Sequence, residues 1–515
     1  MSKITSSEPV TIQTESENGL GQRAVSGAFI VAVSKMLRYG MIILMHVTLM
    51  NYLNPADYGL MRYVTFILGL LMMVSDSGLS TAIIQRKTMS STLLASASVL
   101  NLVITLVCYG TVYLFSPIVA MFYDQPQLTD LIRIGALSFI FANLVAIHRA
   151  QLFRSMRFSK LSLIEVFSSA ISMFVAVWMA RSGHGVWSMV FGLITFNAFQ
   201  AIMIIIFVKW PGISFREMQQ SLQMFLFGLA VAGQRIVGYL YSNTDYLIIG
   251  KKFGEQMLGY YGIAFIIVTA PQVTFGIIIA HVAASFFSRI QGDTERTTRS
   301  YLFISQVLVS SALLFLVLVF VLAPDLMQLV TFLRPSGKWL PSAPYIRLLA
   351  MLGAVYASYG LPETVWIANG KAKLSLYLGI FGVATVFAAV YIGSLFSIKA
   401  VCIALTVRAL LLFPVLLHFN RKIFNCSPWD YLKVLFPPYA SSIMTLLVLI
   451  MFGKVQIFKV LPIRIISTIA LGTTIYIGLY FLFFKSQFMF MASFVKNSFR
   501  GLFQKPKVAF VSEQE

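Results

Sequence analysis

The sequence predicts an all-α polytopic membrane protein of about 14 transmembrane helices, arranged as two parallel six-helix lobes plus two C-terminal helices. Three observations carry this expectation. First, the 515-residue chain is 58% hydrophobic and only 11% charged, where a soluble domain carries roughly 25% charged residues. Second, uncharged apolar runs such as 88–123, 182–208 and 256–288 recur from end to end, each long enough to cross a bilayer. Third, segments of the second half repeat segments of the first in the same order. The composition excludes a soluble enzyme, a disordered chain and a disulfide scaffold, and no polar linkers separate soluble cores. The long alternating strands of a membrane β-barrel are absent from the pattern.

The elements follow in order. Segment 1–22 is polar, with Glu8, Glu15 and Glu17. It lacks the basic start and short apolar run of a cleavable signal and reads as a disordered cytoplasmic tail. Spans at 23–50, 58–83, 92–116, 128–150, 161–181 and 186–208 form an N-lobe over 23–210. Spans at 222–248, 257–285, 299–322, 343–368, 374–395 and 399–420 form a C-lobe over 211–420. Two further spans, 435–453 and 464–485, fill 421–485. The tail 486–515 mixes aromatics with Lys496, Arg500, Lys505 and Lys507, which suits a basic segment lying on the inner leaflet. No loop is long enough for a soluble catalytic domain. Gly78, Pro271 and Pro362 interrupt spans, as neighbouring membrane helices tolerate.

Four alignments define the repeat. Leu53-Asn-Pro-Ala-Asp-Tyr-Gly59 matches Phe253-Gly-Glu-Gln-Met-Leu-Gly259 at an offset of 200. Leu114-Phe-Ser-Pro117 matches Val321-Leu-Ala-Pro324 at 207, Arg133 matches Arg347 at 214, and Gly185-Val-Trp187 matches Ala400-Val-Cys402 at 215. The drift runs in one direction, as loop insertions would give. Six spans per unit is an even number, so both units enter the membrane the same way and form a parallel repeat.

Lys and Arg number 39 against 18 Asp and Glu, a formal charge of +21. With no soluble domain to hold a duplex, nucleic acid is not expected as a partner. The larger share of the basic residues, including Arg86, Lys87, Arg149, Arg154, Arg157, Lys160, Arg289, Arg421 and Lys422, falls on one side. The opposite loops 51–58 and 116–127 hold no Lys or Arg. This places both termini in the cytoplasm. The bias weakens in the second half, where Lys251, Lys252, Arg334 and Lys338 fall outside. Cys108, Cys402 and Cys426 are scattered, so neither a metal site nor a disulfide framework is expected, and nothing calls for a cofactor.

An ionisable group inside a span costs about 2.5–3.5 kcal/mol on insertion scales, so it persists where it meets water, a partner or a ligand. Lys35 and Arg38 share one face of the first span, with His46 eight residues beyond Arg38. Arg235 sits at mid-depth in the seventh span, the repeat counterpart of the first. Arg62, Arg133, Arg347 and Arg408 lie nearer span ends, where snorkelling or pairing between helices is the simpler account. Cations outnumber acids, and the expectation is a cationic cavity built from Lys35, Arg38, Arg235, Arg133, Arg347 and Arg408. It would suit phosphate, because the planar guanidinium donates two parallel hydrogen bonds. Asp76, Asp245, Glu165, Glu363 and His46 are the candidates for ion pairs or for carrying a coupling ion, and His281 is a further possible proton carrier.

Several stretches resemble the polysaccharide transporter family, which includes the Wzx-type O-antigen and colanic-acid flippases. They are Asn54-Pro-Ala-Asp-Tyr-Gly-Leu60, Asp76-Ser-Gly-Leu-Ser-Thr-Ala-Ile-Ile-Gln-Arg86, Phe122-Tyr123, Gln151-Leu-Phe-Arg-Ser-Met-Arg-Phe158, Gly185-Val-Trp187 and Asn243-Thr-Asp-Tyr-Leu-Ile-Ile-Gly250. The family belongs to the multidrug/oligosaccharidyl-lipid/polysaccharide exporter superfamily, and the resemblance covers about residues 20–420. Ser288-Arg289 and Lys251-Lys252 depart from its usual pattern. The resemblance implies two six-helix lobes around a cavity that opens alternately to each side. It implies export of undecaprenyl-diphosphate-linked oligosaccharide units for lipopolysaccharide, capsule or exopolysaccharide synthesis. It also implies proton or cation antiport, an inner-membrane location, and cooperation with polysaccharide polymerase and chain-length machinery. Other readings are a lipid II or multidrug exporter of the same superfamily, or a membrane-embedded polymerase or glycosyltransferase. The Lys/Arg surplus disfavours a cationic drug, and the short outer loops disfavour an enzyme.

Overall fold

The computed structural model describes residues 17–75, 79, 83, 86, 89–155, 157–208, 212–289, 294–332, 334–359, 372–424, 426–453, 460–485 and 487–489. Among them the backbone forms fifteen α-helices, one short 3-10 turn and no strand. In chain order these are α1 (Glu17–Tyr52), α2 (Pro55–Ser75), α3 (Ser91–Tyr123), α4 (Leu128–Gly135), α5 (Leu137–Leu144), α6 (Ala146–Arg154), α7 (Phe158–Arg181) and α8 (Trp187–Phe207). There follow α9 (Met218–Arg289), α10 (Thr294–Leu329), α11 (Ala343–Ala357), α12 (Ala372–Ser394), α13 (Ile398–Phe424), α14 (Pro428–Gly453) and α15 (Leu461–Phe483). The all-α membrane class is what the sequence predicts.

Eleven helical segments among the described residues are long and apolar enough to cross a membrane, and each overlaps one of the expected spans. The other three expected spans, 222–248, 257–285 and 343–368, fall on α9, on α11 and on residues outside the description. The described residues thus establish eleven candidate spans rather than a count of fourteen. Many large apolar side chains on these helices are exposed, such as Leu114, Met121, Phe174 and Leu411. An apolar outer face is what hydrocarbon requires of a spanning helix. Asp76, Gly78, Pro362, Glu363 and the segments 1–16 and 490–515 lie outside the described residues, as do the side chains of Pro271 and His281.

Local chemistry sets the helix ends. Ser90 caps α3 by accepting from Leu93 N at 3.0 Å. α3 stops at Asp124, whose left-handed backbone (φ 57°) returns its N–H to the Ala120 and Met121 carbonyls. Gly183 (φ 83°) and Gly185 (φ 53°) turn α7 into α8. Inside α9, Gly254 stands at φ 78°, ψ 178°, a conformation essentially reserved for glycine. This break divides the 72-residue helix between the two spans that the sequence expects there.

Two compact units are present: Met1–Ile267, Met327–Leu348 and Ala372–Arg408 form the first, and Val268–Leu326, Leu349–Lys371 and Ala409–Glu515 the second. In the first unit, α7 packs between α1 and α8. Small residues bring α7 and α8 close: Gly192 meets Ala176, and Ser172 Oγ donates to the Gly192 carbonyl at 2.8 Å. Buried amides bind α2, α3 and α5 together, with Ser75 Oγ donating to Asn143 Oδ1 at 2.7 Å and Asn101 Nδ2 to the Asn143 carbonyl at 2.7 Å. Before α9, Glu217 receives the hydroxyls of Ser90 and Thr92. These donors, with Arg86 nearby, hold its carboxyl below the usual range.

In the second unit, α15 is tied to α10. Tyr476 Oη donates to the Ser310 carbonyl at 3.1 Å, and Gln306 Nε2 donates to Tyr480 Oη at 3.0 Å. Arg464 forms a two-pronged pair with Asp325, its Nε 3.0 Å from Oδ2. Asn420 Nδ2 donates to Tyr301 Oη at 3.0 Å, and Tyr301 stacks on Tyr431.

Candidate functional site

The first unit holds a cavity of about 330 Å³ walled by α1, α2, α7, α8 and Ile266 of α9. On α1 the lining residues are Arg38, Met41, Ile42, Met45 and His46, a spacing of three, four and eight that stacks side chains along one helical face. On α2 they are Tyr58, Met61, Arg62 and Thr65, again one face. α7 adds Ser169, Ser172 and Ala176, and α8 adds Met189, Gly192, Leu193 and Phe196. The wall is thus mostly apolar, with methionine, aliphatic, aromatic and small residues, and a few hydroxyls, two guanidinium groups and one imidazole are set into it.

Each polar group is held by a neighbour. Arg38 Nη1 meets Glu165 Oε2 of α7 at 3.1 Å, and its guanidinium lies 5.4 Å from the centre of the Phe196 ring. The Arg38 Nε is buried with no hydrogen-bond partner among the described residues. Arg62 Nη2 donates to the Gly262 carbonyl at 3.3 Å, and its guanidinium lies over the Tyr246 ring at 5.1 Å. The His46 ring leans on Tyr58 at 5.9 Å, and the Tyr58 hydroxyl donates to the His46 carbonyl at 3.0 Å. His46 Nδ1 is buried and has no hydrogen-bond partner among the described residues. Glu165 pairs with Arg38, and the buried Asp245 acts electrostatically on Arg62. The buried Arg38 Nε leaves open donor capacity at the wall, which suits an anion.

The structure brings together Arg38, Glu165 and His46 from the set that the sequence offers and adds Arg62, which the sequence alone places nearer a span end. Lys35 lies one turn before Arg38 and is exposed. Arg235 is half-buried on α9 and is not among the cavity-lining residues. Arg133 Nε donates to the Tyr113 carbonyl at 3.2 Å, with its guanidinium 4.2 Å from the Tyr113 ring centre. Arg347 is exposed on α11. Arg408 is buried, donating to Thr385 Oγ1 at 3.0 Å, to the Gly382 carbonyl at 3.2 Å and to Tyr241 Oη at 3.4 Å. Asp245 is buried and accepts from the Tyr261 hydroxyl at 2.6 Å and from the Tyr246 N–H at 3.0 Å. Among the described residues, no three His, Cys, Asp or Glu side chains converge as metal ligands would.

Comparison with known proteins places these features. The chain is 28% identical over 337 residues to the teichuronic acid biosynthesis protein TuaB of Bacillus subtilis (strain 168), covering 63% of this chain and 68% of that one. It is 24% identical over 448 residues to the lipopolysaccharide biosynthesis protein WzxC of Escherichia coli (strain K12), covering 85% and 89%. Among solved structures, the lipid II flippase MurJ in an inward closed conformation matches with a TM-score of 0.70 at 15% identity, over 89% of this chain and 99% of that one. An inward-facing multidrug resistance MATE transporter of the MOP superfamily matches with a TM-score of 0.62 at 16% identity, over 76% and 98%. At that identity the structural matches speak for a shared fold. The polysaccharide biosynthesis protein model matches residues 49–344, more than half of the chain and including the α2 and α7–α8 walls of the cavity, and the chain therefore belongs to that family.

Proposed function

We propose that this protein is an alternating-access flippase. It moves undecaprenyl-diphosphate-linked oligosaccharide units across the bacterial plasma membrane for lipopolysaccharide, capsule or exopolysaccharide synthesis. Membership of the polysaccharide biosynthesis family and the names of its relatives support the pathway. The observation that carries the mechanism is the Arg38–Arg62 wall. Two guanidinium groups in one membrane-embedded cavity are costly, and a diphosphate repays them with charge-assisted, two-pronged hydrogen bonds. The serine and threonine hydroxyls of the wall offer hydrogen bonds to sugar, and the methionines offer adaptable apolar contact. Moving the headgroup is binding and release, with no covalent step for the protein to catalyse.

Both termini are cytoplasmic in this proposal, on the Lys/Arg asymmetry. The lobes are 23–210 and 211–420, with 421–485 as an appended pair, and the tails 1–22 and 486–515 lie on the cytoplasmic side. Lys35, Arg235, Arg133, Arg347 and Arg408 are secondary cations of the pathway. The buried Asp245, held by a tyrosine hydroxyl, is the leading carrier for a coupling ion, with Asp76 and Glu363 behind it. Polysaccharide polymerase and chain-length machinery receive the exported unit.

The test is complementation in a strain lacking this gene. The wild-type protein restores surface polymer, and an Arg38→Gln, Arg62→Gln double variant of equal abundance leaves undecaprenyl-linked units on the inner leaflet. Full export by the double variant would sink the proposal. Lipid II presents the same diphosphate, and MurJ, a lipid II flippase, shares the fold. A deletion strain that stops making peptidoglycan, with surface polymer intact, would select that second reading.

A further inference from the structure

The α1–α2 junction, on the outer side in the proposed orientation, meets the Gly254 break of α9 in a contact that the repeat maps onto itself. A Cβ on Gly59 would collide with the Glu255 carbonyl, and a Cβ on Gly259 would collide with the Pro55 carbonyl. Positions 59 and 259 are counterparts at the offset of 200, and so are 55 and 255. Each contact is therefore the image of the other about a local two-fold axis. Arg62 and Gly262 are counterparts as well, and they are joined by the 3.3 Å hydrogen bond.

The surrounding clasps follow the same relation. Buried Asn51 donates to the Val330 carbonyl at 2.8 Å and accepts from Arg334 N at 3.2 Å. Its counterpart Lys251 pairs with Asp124 at 2.6 Å, and residue 124 corresponds to 331 at the offset of 207. Trp339, fully buried, donates to the Met50 carbonyl at 2.9 Å and stands edge-on to Tyr58 and Tyr260. Glycine on both sides lets the backbones touch with no side chain between them. Such a fit is either made or lost, because packed contacts do not stretch gradually.

Two side chains, Tyr58 and Arg62, belong both to this closure and to the cavity, and of the two Arg62 carries a charge. Arg62 lines the cavity and at the same time ties α2 to the second half of α9. We infer that Arg62 is the residue through which an anion in the cavity loosens the outer closure; this rests on the diphosphate-binding reading above. The Gly262 carbonyl is a neutral acceptor. A diphosphate oxygen makes a charge-assisted bond roughly twice as strong, and so it draws the guanidinium away from Gly262 and from its stack on Tyr246. The glycine crossing then loses one of its polar ties, and the bonds from Tyr63 Oη to the Gly250 carbonyl (3.0 Å) and from Lys251 to Asp124 (2.6 Å) remain.

The experiment uses the full-length protein in nanodiscs, inorganic diphosphate as probe, and hydrogen exchange of segments 51–62 and 253–262. Saturating diphosphate speeds exchange at least threefold in the wild type. Arg62→Gln still binds diphosphate through Arg38, more weakly, and shows no acceleration at saturation. Protection of segment 91–123, in the same unit as Arg62 but outside the cavity, reports that the variant is folded. Where Arg62→Gln does not fold, Arg62→Lys carries the test: it keeps the charge without the planar fork and gives at most half of the wild-type acceleration. Equal acceleration in the variant and the wild type overturns the inference. So does a wild-type protein that binds diphosphate with no change in exchange. A wild-type protein that binds no diphosphate overturns the cavity reading and the role of Arg62 together.

Discussion

Neutralising Glu165 should make the cavity bind anions more tightly while making the protein less stable. In the wild type Glu165 sits 3.1 Å from Arg38 and offsets one of the two guanidinium charges. In Glu165→Gln that offset disappears. A unit charge about 6 Å from a bound phosphate, at an effective dielectric of about 20, is worth about 3 kcal/mol. The side chains are 32% and 21% exposed, so solvent screens the interaction and about half of that is a fair expectation. That corresponds to roughly tenfold tighter diphosphate binding. Stability moves the other way. The pair lies between the exposed class, worth about 0–1 kcal/mol, and the buried class, where removing one partner costs about 3–5 kcal/mol; a loss of about 1–2 kcal/mol follows. Arg38→Gln should weaken binding by a similar factor, and the double variant should recover part of the lost stability, because neither partner is left unpaired. Calorimetric titration of the purified protein with inorganic diphosphate at low and high salt measures the first effect, and thermal melting the second. The reasoning fails if Glu165→Gln binds no tighter than the wild type at low salt, since the cavity field would then not be set by this pair.

Three further outcomes are expected. Gly254→Ala places a side chain at φ 78°, ψ 178° with open space around it, so the cost is conformational, about 1–3 kcal/mol, and reads as a lower melting temperature with no change in diphosphate affinity. Asp325→Asn leaves Arg464 half-buried without its carboxylate and should raise hydrogen exchange across α15 selectively, by several-fold. For Glu217 the folded-state pKa is depressed, so its stabilising contribution is present above the unfolded value of about 4.3 and is lost as pH falls through the folded value. The melting-temperature gap between wild type and Glu217→Gln should therefore be constant from pH 7 to 5 and shrink below about pH 4.5.

What the sequence could and could not show follows from the range of the interactions involved. Spans are local: an apolar run declares itself by length, and all eleven candidate spans fall where such runs do. The break at Gly254 was also legible, because the stretch containing it repeats the α1–α2 junction 200 residues earlier. The α1 face with Arg38 and His46 was legible for the same reason, since helical spacing alone puts them side by side. Lys35 shares that face but lies one turn nearer the N-terminus, where the side chain is exposed, and spacing cannot say where a cavity ends. Along α2 alone, Arg62 reads as a residue near a span end that snorkels. Its partners, Gly262 and Tyr246, come from α9, far along the chain. Asp245 makes the same point from the other side. A lone acid near a span end invites an arginine as its partner; Arg62 acts on it electrostatically, but its side-chain hydrogen bond comes from the hydroxyl of Tyr261, 16 residues on. That bond requires the two parts of α9 to lie alongside each other across Gly254, which depends on one positive φ angle and not on the pattern of charges. Charge type was legible throughout, and charge pairing was not, because pairing is decided by which helices touch.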